Sequence, residues 1–394
     1  KALAMAINMG FGRLGTALGT AVSPDIAGSS APKAITFAAF LIALGAIFFF
    51  IYLIFDVRLD KQQKEAATAS EDDKFRFSDL VALVTNRSFL AIALLCVAFY
   101  SAVFPFMQYA PDLLINKFGF TYSLPEQAKF ILWGSASLGS VAIYVVFFLF
   151  GIMFSTVPSA IKNASLRLAS IGGLLALFGL FIYSRWDVLG VWLDNGPKAA
   201  GLIPLGTILF TPIFGKLVDR KGKAASIMML GALLLIFAHL SLSIFNSKML
   251  CYFGLLSLGV AFSLVPAAMW PSVARIVPEK RLGTAFATMF TIQNWGLGSF
   301  FKGIGWLLEK VNPETVKKMA DIRQNLMLEH HGDTTLVGQA IEKLRLEGAL
   351  PVYNYTTPIL ILVGLGVVSI FLAAYLKHTS NRQGYGLELP SNSR

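Results

Sequence analysis

Long apolar segments separated by short polar turns make up most of the chain. The 22 residues Ala34–Phe55 contain no charged side chain, and about 20 apolar residues are enough to cross a bilayer as a helix. Similar segments follow one another along the rest of the sequence, at 2–22, 88–109, 131–154, 168–183, 197–214, 224–245, 250–273, 282–308 and 358–375. The pattern predicts an all-α polytopic membrane protein with about ten transmembrane helices.

A charged linker divides this series of helices. Residues 1–57 are predicted to end an N-terminal helical bundle, and residues 58–87 to link it to a second bundle over 88–380, followed by a polar tail at 381–394. The end of the linker, FRFSDLVALVTN, is amphipathic and is typical of a helix that lies on the membrane surface.

Two further segments interrupt the second bundle. A hairpin of two apolar segments occupies 128–196, and a hydrophilic insert occupies 309–350. In the insert, Asn312-Pro313-Glu314 and Asp333-Thr334 are helix-start signals, so we expect a small solvated helical hairpin there.

Composition supports a membrane protein and excludes several other classes. Hydrophobic residues make up 56% of the chain and charged residues 14%, against about 25% in soluble domains. The net charge of +11 comes from basic residues in short loops, as the positive-inside bias requires, so no nucleic-acid partner is predicted. By the same bias, the linker, the loop 216–223 and the tail should be cytoplasmic, and the insert should face the opposite side.

The residues suggest no catalytic or metal chemistry. Both cysteines, Cys96 and Cys251, lie in apolar segments, which argues against a disulfide framework. Metal-ligand spacing, a catalytic triad and a phosphate-binding loop are all missing from the pattern, so we predict no metal, no cofactor and no enzymatic activity.

The most informative stretch is Phe262–Gly298, which reads FSLVPAAMWPSVARIVPEKRLGTAFATMFTIQNWGLG. Its first half places Trp270 next to Pro271, and proline in a membrane helix is tolerated where a neighbour or a cavity satisfies the freed backbone. Its second half places Gln293 and Asn294 at a depth where polar amides are costly unless they face a partner or water. The stretch is predicted to form the wall of a translocation pathway.

Arg13 lies in the middle of the first apolar segment, about ten residues from either end. A guanidinium at that depth costs roughly 2.5–3.5 kcal/mol unless it faces a cavity or a counter-ion. Gly15 and Gly19 share one helix face and should allow a neighbour to approach closely. We expect Arg13 to bind substrate, the alternatives being an arginine that snorkels to the interface or one that ties down a neighbouring helix.

Two other features have both functional and structural interpretations. The run FYSAVFPF clusters Tyr100, Phe104 and Phe106 around Pro105, which predicts a kink or unwinding, although an ordinary packed core explains the aromatic residues as well. For His239 the functional interpretation is a role in proton coupling, and the structural one, which we expect, is a histidine that supports the bundle and whose ring the nearby Ser241 or Ser243 can satisfy.

The sharpest short motif is GKLVDRKGK at 215–223. Its spacing resembles the cytoplasmic signature of the major facilitator superfamily, against the alternative of a generic basic loop. Gly215 and Gly222 should allow a tight turn, while Asp219 and Arg220 can pair with charges or helix ends of a neighbouring bundle. We therefore predict a conformational lock formed by Gly215, Asp219, Arg220, Gly222 and Lys223.

Other segments narrow the resemblance to one branch of that superfamily. The runs ALAMAINMGFGRLGT, CVAFYSAVFPF, KFGF, SLVPAAMWPSVARIVPEKRLGTA and IQNWGLG are similar to the branch of lysosomal dipeptide transporters and their bacterial relatives. The similarity covers most of 2–308 apart from 128–196. It implies a fold of two six-helix repeats, with the first apolar segment here matching the fifth helix, so the first four helices are expected to be missing from this sequence.

The resemblance implies a secondary active or facilitative transporter that moves small peptides, with dipeptides expected, by alternating access. Arg13 would hold the peptide carboxylate, and the remaining substrate-binding candidates are Tyr100, Phe104, Trp270, Gln293 and Asn294. The carboxylate that would hold the peptide ammonium is expected in the missing helices. Expected partners are a small-molecule or short-peptide substrate, the lipid bilayer and a possible accessory protein at 309–350. The expected location is a bacterial inner membrane, or the lysosomal membrane if the source is eukaryotic.

Two other functions stay open at this point. A proton-coupled organic anion or drug transporter of the same superfamily would accept small monocarboxylates as readily as dipeptides. A non-transporting membrane scaffold acting through 309–350 would have no use for a buried charge such as Arg13.

Overall fold

The computed structural model describes residues 11–19, 26, 31–66, 77–125 and 128–390, which are almost entirely helical and contain no β-strand. Helix α1 covers 11–19. The others are α2 Ala31–Ala66, α3 Phe77–Thr85, α4 Arg87–Phe118, α5 Ala136–Ala160, α6 Ala164–Ser184, α7 Trp186–Leu193, α8 Gly196–Ala200, α9 Leu202–Lys221, α10 Ala224–Ser243, α11 Lys248–Ile276, α12 Leu282–Val311, α13 Pro313–Glu329, α14 Thr334–Leu346 and α15 Thr356–Gln383, with a short 3₁₀ turn at Glu279–Arg281.

Seven of the described helices are long and apolar enough to cross a membrane, namely α2, α4, α5, α6, α10, α11 and α15. Gly196–Thr211 and Ile213–Lys221 add an eighth span if this pair, bent by 43°, is counted as one. Two of the about ten predicted spans are not among these eight. The one at 2–22 lies largely outside the described residues. The one at 282–308 corresponds to α12, which has 30 residues but is too polar to meet the same criterion. The predicted fold class, all-α and polytopic, is confirmed.

Polar residues at the turns determine where several helices begin and end. The Asn86 carboxamide oxygen accepts hydrogen bonds from the backbone N–H groups of Ser88 and Phe89 at 2.9 and 3.2 Å, and so caps α4. The helix ends at Gly119, whose φ of 70° is the left-handed conformation that glycine adopts without strain.

The expected unwinding at Pro105 does not occur. Helix α4 continues through Pro105 and Pro111, and α11 continues through Pro266 and Pro271. Both helices are largely buried among neighbours. Their packing supports the hydrogen-bonded ladder on either side of each proline, as membrane helices allow.

The main core lies where α4, α10, α11, α12 and α15 meet. Its largest fully buried side chains include Phe89, Phe99, Phe262 and Leu235. A Cβ added to Gly231 of α10 would lie 2.2 Å from a methyl carbon of Val265. Only glycine allows α10 and α11 to pack this closely.

A second, smaller core joins the predicted hairpin to the bundle. It contains Ala17 of α1, Phe148 of α5, Trp192 of α7 and Ile208 of α9. The close approach expected at Gly15 and Gly19 is not used by any described element, because a Cβ on either would meet nothing within 4 Å. Helix α1 instead packs through its apolar side chains.

Polar contacts gather the predicted cytoplasmic segments at one end of the bundle. Arg281 forms an ion pair of 2.7 Å with Asp79 of α3, and Arg275 donates a hydrogen bond of 2.8 Å to the carbonyl of Leu389 in the tail. At the opposite end, Lys248 forms an ion pair with Asp194. The linker helix and the tail therefore lie at one end, as the predicted topology requires.

The insert forms the expected helical hairpin, α13 and α14, at that opposite end. Asn312 precedes α13 but makes no side-chain cap. Its amide nitrogen donates to the carbonyls of Leu308 and Asn354 at 2.8 and 3.1 Å, and its oxygen accepts from the N–H of Asn354 at 2.7 Å. Asn312 therefore ties the two ends of the insert together.

Candidate functional site

Four aromatic side chains form the centre of the candidate site, and we call them the aromatic cluster: Tyr100 and Phe104 of α4, and Phe262 and Trp270 of α11. Tyr100 and Phe104 are one helical turn apart and stack with ring centroids 5.7 Å apart. Phe262 meets both rings edge-on, at 5.9 and 5.5 Å. The cluster presents a rigid aromatic wall between α4 and α11.

Arg13 of α1 lies against this wall. Its guanidinium carbon is 3.9 Å from the centroid of the Phe262 ring, a distance at which a cation is attracted by the face of an aromatic ring. Its Nη2 donates a hydrogen bond of 3.2 Å to the Tyr100 hydroxyl. Among the residues that the structure describes, no acidic side chain forms an ion pair with Arg13.

The Tyr100 hydroxyl connects Arg13 to Trp270. It accepts a second hydrogen bond of 3.2 Å from Nε1 of Trp270, whose ring in turn stacks on Phe290 at 4.7 Å. Because the Tyr100 oxygen accepts from both neighbours, its own O–H can donate to a third group. A planar guanidinium beside a hydroxyl donor suits recognition of a carboxylate.

The two predicted amides lie elsewhere on α12. Gln293 is buried, and its side-chain oxygen accepts a hydrogen bond of 3.1 Å from Sγ of Cys96, which stands one turn before Tyr100 on α4. Asn294 is exposed, as is the neighbouring Trp295. The structure therefore brings together Arg13, Tyr100, Phe104 and Trp270 and leaves both amides outside the contacts of that group.

Sequence reasoning missed Phe262, whose ring centroid is the one nearest to the guanidinium of Arg13. A signal was present, because Phe262 and Trp270 are eight residues apart on one helix and therefore lie close to the same face. It also missed Cys96, for which a lone cysteine in an apolar segment offers no signal.

The predicted lock motif is mostly helical. Helix α9 continues to Lys221, so the turn consists of Gly222 and Lys223, and Gly215 lies inside the helix. Gly222 has a φ of 69°, and a Cβ there would lie 2.4 Å from the carbonyl carbon of Leu389. The expectation that Gly215 shapes the turn is wrong, since two residues suffice to join α9 to α10.

The tail supplies the cap that α10 lacks. Lys223 stands at the N-cap position without a side-chain cap, and the carbonyls of Leu387 and Glu388 accept from the N–H groups of Ala224 and Lys223 at 3.0 and 3.1 Å. The Glu388 carboxylate accepts from the N–H and the hydroxyl of Ser226, at 3.1 and 2.7 Å. A negative group at a helix N-terminus is favourable.

The ring of His239 is surrounded by backbone groups of two helices. It is fully buried, with Nδ1 2.8 Å from the carbonyl oxygen of Leu235 and Nε2 3.0 Å from that of Ala102. The expectation that Ser241 or Ser243 satisfies the ring is wrong, because backbone carbonyls of α10 and α4 occupy both nitrogens. Within the described part of the chain, no group of three His, Cys, Asp or Glu side chains could hold a metal ion.

Comparisons with known proteins agree with this architecture. The family described as Major Facilitator Superfamily matches residues 187–301. The lysosomal dipeptide transporter MFSD1 of Danio rerio is 24% identical over 288 residues, which is 72% of this chain and 46% of that protein. The proteins of the same name from Gallus gallus and Homo sapiens are 37% and 35% identical over 101 residues, 25% of this chain and 22% and 21% of theirs.

The chain therefore spans less than half the length of the curated relatives it matches. The predicted resemblance to the superfamily and to this branch is confirmed. The apolar helices, the family match and the relatives together indicate a multi-pass integral membrane protein related to transporters, and not an enzyme.

Proposed function

We propose that this chain, a multi-pass membrane protein of the major facilitator superfamily type, is part of a transporter that moves short peptides, above all dipeptides, by alternating access. The observation that carries the proposal is the guanidinium of Arg13, half-buried on the aromatic cluster with no acidic partner among the described residues. The substrate class comes from relatives named as lysosomal dipeptide transporters.

Arg13 is proposed to bind the peptide carboxylate. The guanidinium carbon of Arg13 lies over the Phe262 ring, and one N–H group donates to Tyr100. The other N–H groups can form paired hydrogen bonds with two carboxylate oxygens. The Tyr100 O–H adds a third donor at the same place. A hydrogen bond to a charged group contributes about 1.5–3 kcal/mol.

The rest of the peptide would contact the aromatic cluster and α12. Phe104 and Trp270 offer apolar surface that accepts many side chains, because ring faces make no directional demand on an aliphatic group. Gln293 and Asn294 are proposed to bind peptide amides, for which Gln293 would have to exchange its hydrogen bond with Cys96 for one with the substrate.

The α9–α10 turn is proposed to set the conformational equilibrium. Asp219 is half-buried and Arg220 is exposed at the end of α9, where both can meet a neighbouring bundle. Gly222 and Lys223 complete this proposed lock by holding the turn against the tail, whereas Gly215 contributes from within the helix.

The insert at 309–350 is proposed as the place for an accessory protein. Its two helices expose apolar side chains, Leu328, Leu336 and Leu346, on a part of the chain that takes little part in the cores of the bundle.

Substitution of Arg13 tests the proposed function. In the full-length protein, Arg13→Ala should weaken dipeptide binding about tenfold to a hundredfold, the equivalent of about 1.4 kcal/mol per decade. Arg13→Lys should recover only part of the affinity, because an ammonium keeps the charge but loses the planar fork. Arg281→Ala, which removes a guanidinium paired with Asp79 away from the site, is the matched control. Ligand-induced thermal stabilisation and uptake into proteoliposomes are the measurements.

A chemically altered ligand separates the carboxylate role from a structural one. A C-terminally amidated dipeptide should bind the wild type weakly and lose little more in Arg13→Ala. Equal binding of amidated and free dipeptides to the wild type would make Arg13 structural.

The organic anion alternative has one observation in its favour, the same lack of an acidic partner for a ligand ammonium near Arg13 among the described residues. Competition by small monocarboxylates as strong as that by dipeptides would support it. A folded protein that binds neither and transports neither would favour the scaffold.

A further inference from the structure

Phe290 of α12 packs on the aromatic cluster and is more exposed than any ring of the cluster itself. It stacks on Trp270 with ring centroids 4.7 Å apart and is 48% exposed. Tyr100, Phe262 and Trp270 are each 5% exposed or less. An apolar group of a ligand can therefore bury more surface against Phe290 than against Trp270, which lies behind it.

Contacts with two neighbouring helices fix the rotation of α12. Phe286 lies one helical turn before Phe290, and its ring centroid is 6.0 Å from that of Trp270, so both rings lean on α11. A Cβ added to Gly296 would lie 2.4 Å from a methyl carbon of Val97, so α12 also packs closely on α4. These contacts hold Phe290 beside Trp270 while about half of its surface stays uncovered.

Phe290 also lies close to the proposed carboxylate site. The Tyr100 hydroxyl accepts hydrogen bonds of 3.2 Å from both Arg13 and Trp270, and Phe290 stacks on that same indole. Asn294, proposed to bind a peptide amide, is one turn further along α12 and is also exposed. Two extended peptide residues span about 7 Å. A dipeptide whose carboxylate is on Arg13 can therefore place the side chain of its other residue against Phe290.

We propose that Phe290 sets the side-chain preference at the N-terminal residue of a dipeptide and favours large apolar side chains there. The inference rests on the proposed function, since it takes the peptide carboxylate to bind Arg13. The free energy gained on an exposed ring grows with the apolar area that the side chain buries, whatever its shape. Trp270 is buried and donates to the Tyr100 hydroxyl, so it contributes about equally to every dipeptide.

Three dipeptides separate the two positions. Leucyl-alanine carries its large side chain at the N-terminal residue, alanyl-leucine carries it beside the carboxylate, and alanyl-alanine has no large side chain. Calorimetric titration of the full-length protein measures the three affinities. Leucyl-alanine should bind the wild type about tenfold more tightly than alanyl-alanine, because the leucine side chain buries part of its surface on Phe290.

Phe290→Ala should abolish this preference. Its affinity for leucyl-alanine should fall about tenfold, whereas its affinities for alanyl-alanine and alanyl-leucine should each change by less than about twofold. Phe290→Leu keeps an apolar side chain and should restore most of the preference. The matched control is Phe371→Ala, at a 70% exposed phenylalanine of α15, which should bind all three dipeptides like the wild type.

Equal losses for leucyl-alanine and alanyl-alanine in Phe290→Ala would mean that the ring only supports Trp270, and they would overturn the proposal. An unchanged preference would overturn it too and would place Phe290 against lipid or another helical bundle. A loss confined to alanyl-leucine would contradict the assigned position. Binding of alanyl-alanine to the wild type reports on the proposed function alone. If none of the three dipeptides binds, the proposed function and this inference both fail.

Discussion

At the scale of single residues, the Tyr100 hydroxyl makes the proposed site depend on Trp270 as well as on Arg13. Both side chains donate to this oxygen at 3.2 Å, and Trp270 is 5% exposed. Trp270 therefore acts through the position of Tyr100 and through its own ring.

Substitution of Trp270 separates these two contributions. Trp270→Ala should weaken many different dipeptides by similar factors, about tenfold, because an aromatic wall does not select among side chains. Trp270→Phe keeps an apolar ring but loses the N–H donor, so it should recover part of the affinity. Trp306→Ala, at an exposed tryptophan of α12, should change nothing. Titrations with a panel of dipeptides measure this, and unchanged affinity in a well-folded Trp270→Ala protein would return Trp270 to the packed core.

At the scale of elements, the turn between α9 and α10 joins two separate functions. Its backbone receives the tail, with Glu388 capping α10 and lying 3.8 Å from Lys377 of α15. The charged side chains that precede it at the end of α9, Asp219 and Arg220, belong to the proposed lock. The capping contact concerns stability, while the lock concerns the balance between conformations.

A variant of the lock and a variant of the capping contact should therefore behave differently. Asp219→Asn should slow transport but leave dipeptide-induced stabilisation nearly intact, because a lock biases states without touching ligand. Glu388→Gln should lower the free energy of unfolding by about 1 kcal/mol, since the helix N-terminus loses a negative partner. Uptake rates and denaturation of the full-length protein measure the two effects. Loss of dipeptide binding in Asp219→Asn would contradict the lock.

At the scale of the whole molecule, the polar contacts place the linker helix, the α9–α10 turn and the tail at one end and the insert at the other. With the positive-inside bias, that first end is predicted to be cytoplasmic. The arrangement can be tested without changing the site, because the two native cysteines are buried.

Single cysteines at exposed positions should report the sidedness. Gln62→Cys in the linker should be protected from an impermeant thiol reagent in intact cells, whereas Gln339→Cys in the insert should be labelled. Permeabilised cells, in which both react, provide the control. Equal labelling of both positions in intact cells would contradict the topology.

The sequence by itself determined the membrane class, most of the spans and the helical insert. These depend on local quantities, since the length of an apolar run or a capping residue such as Asp333 acts within a few positions along the chain. It also singled out Arg13, Tyr100, Phe104 and Trp270 as candidate site residues. A charge in the middle of an apolar span, or a group of aromatic residues beside a proline, is unusual in a membrane helix whatever packs against it.

Only the tertiary structure decided which of these residues meet. Contact between Arg13 and Phe262 joins positions 249 residues apart, and no periodicity along one helix specifies how it is rotated against another. The same reason explains why Gln293 faces Cys96 while its neighbour Asn294 is exposed, and why the tail caps α10. A cavity between α5, α6, α7, α8, α9 and α11 is likewise invisible in the sequence, because it arises from how six helices pack around a space that none of them encloses alone.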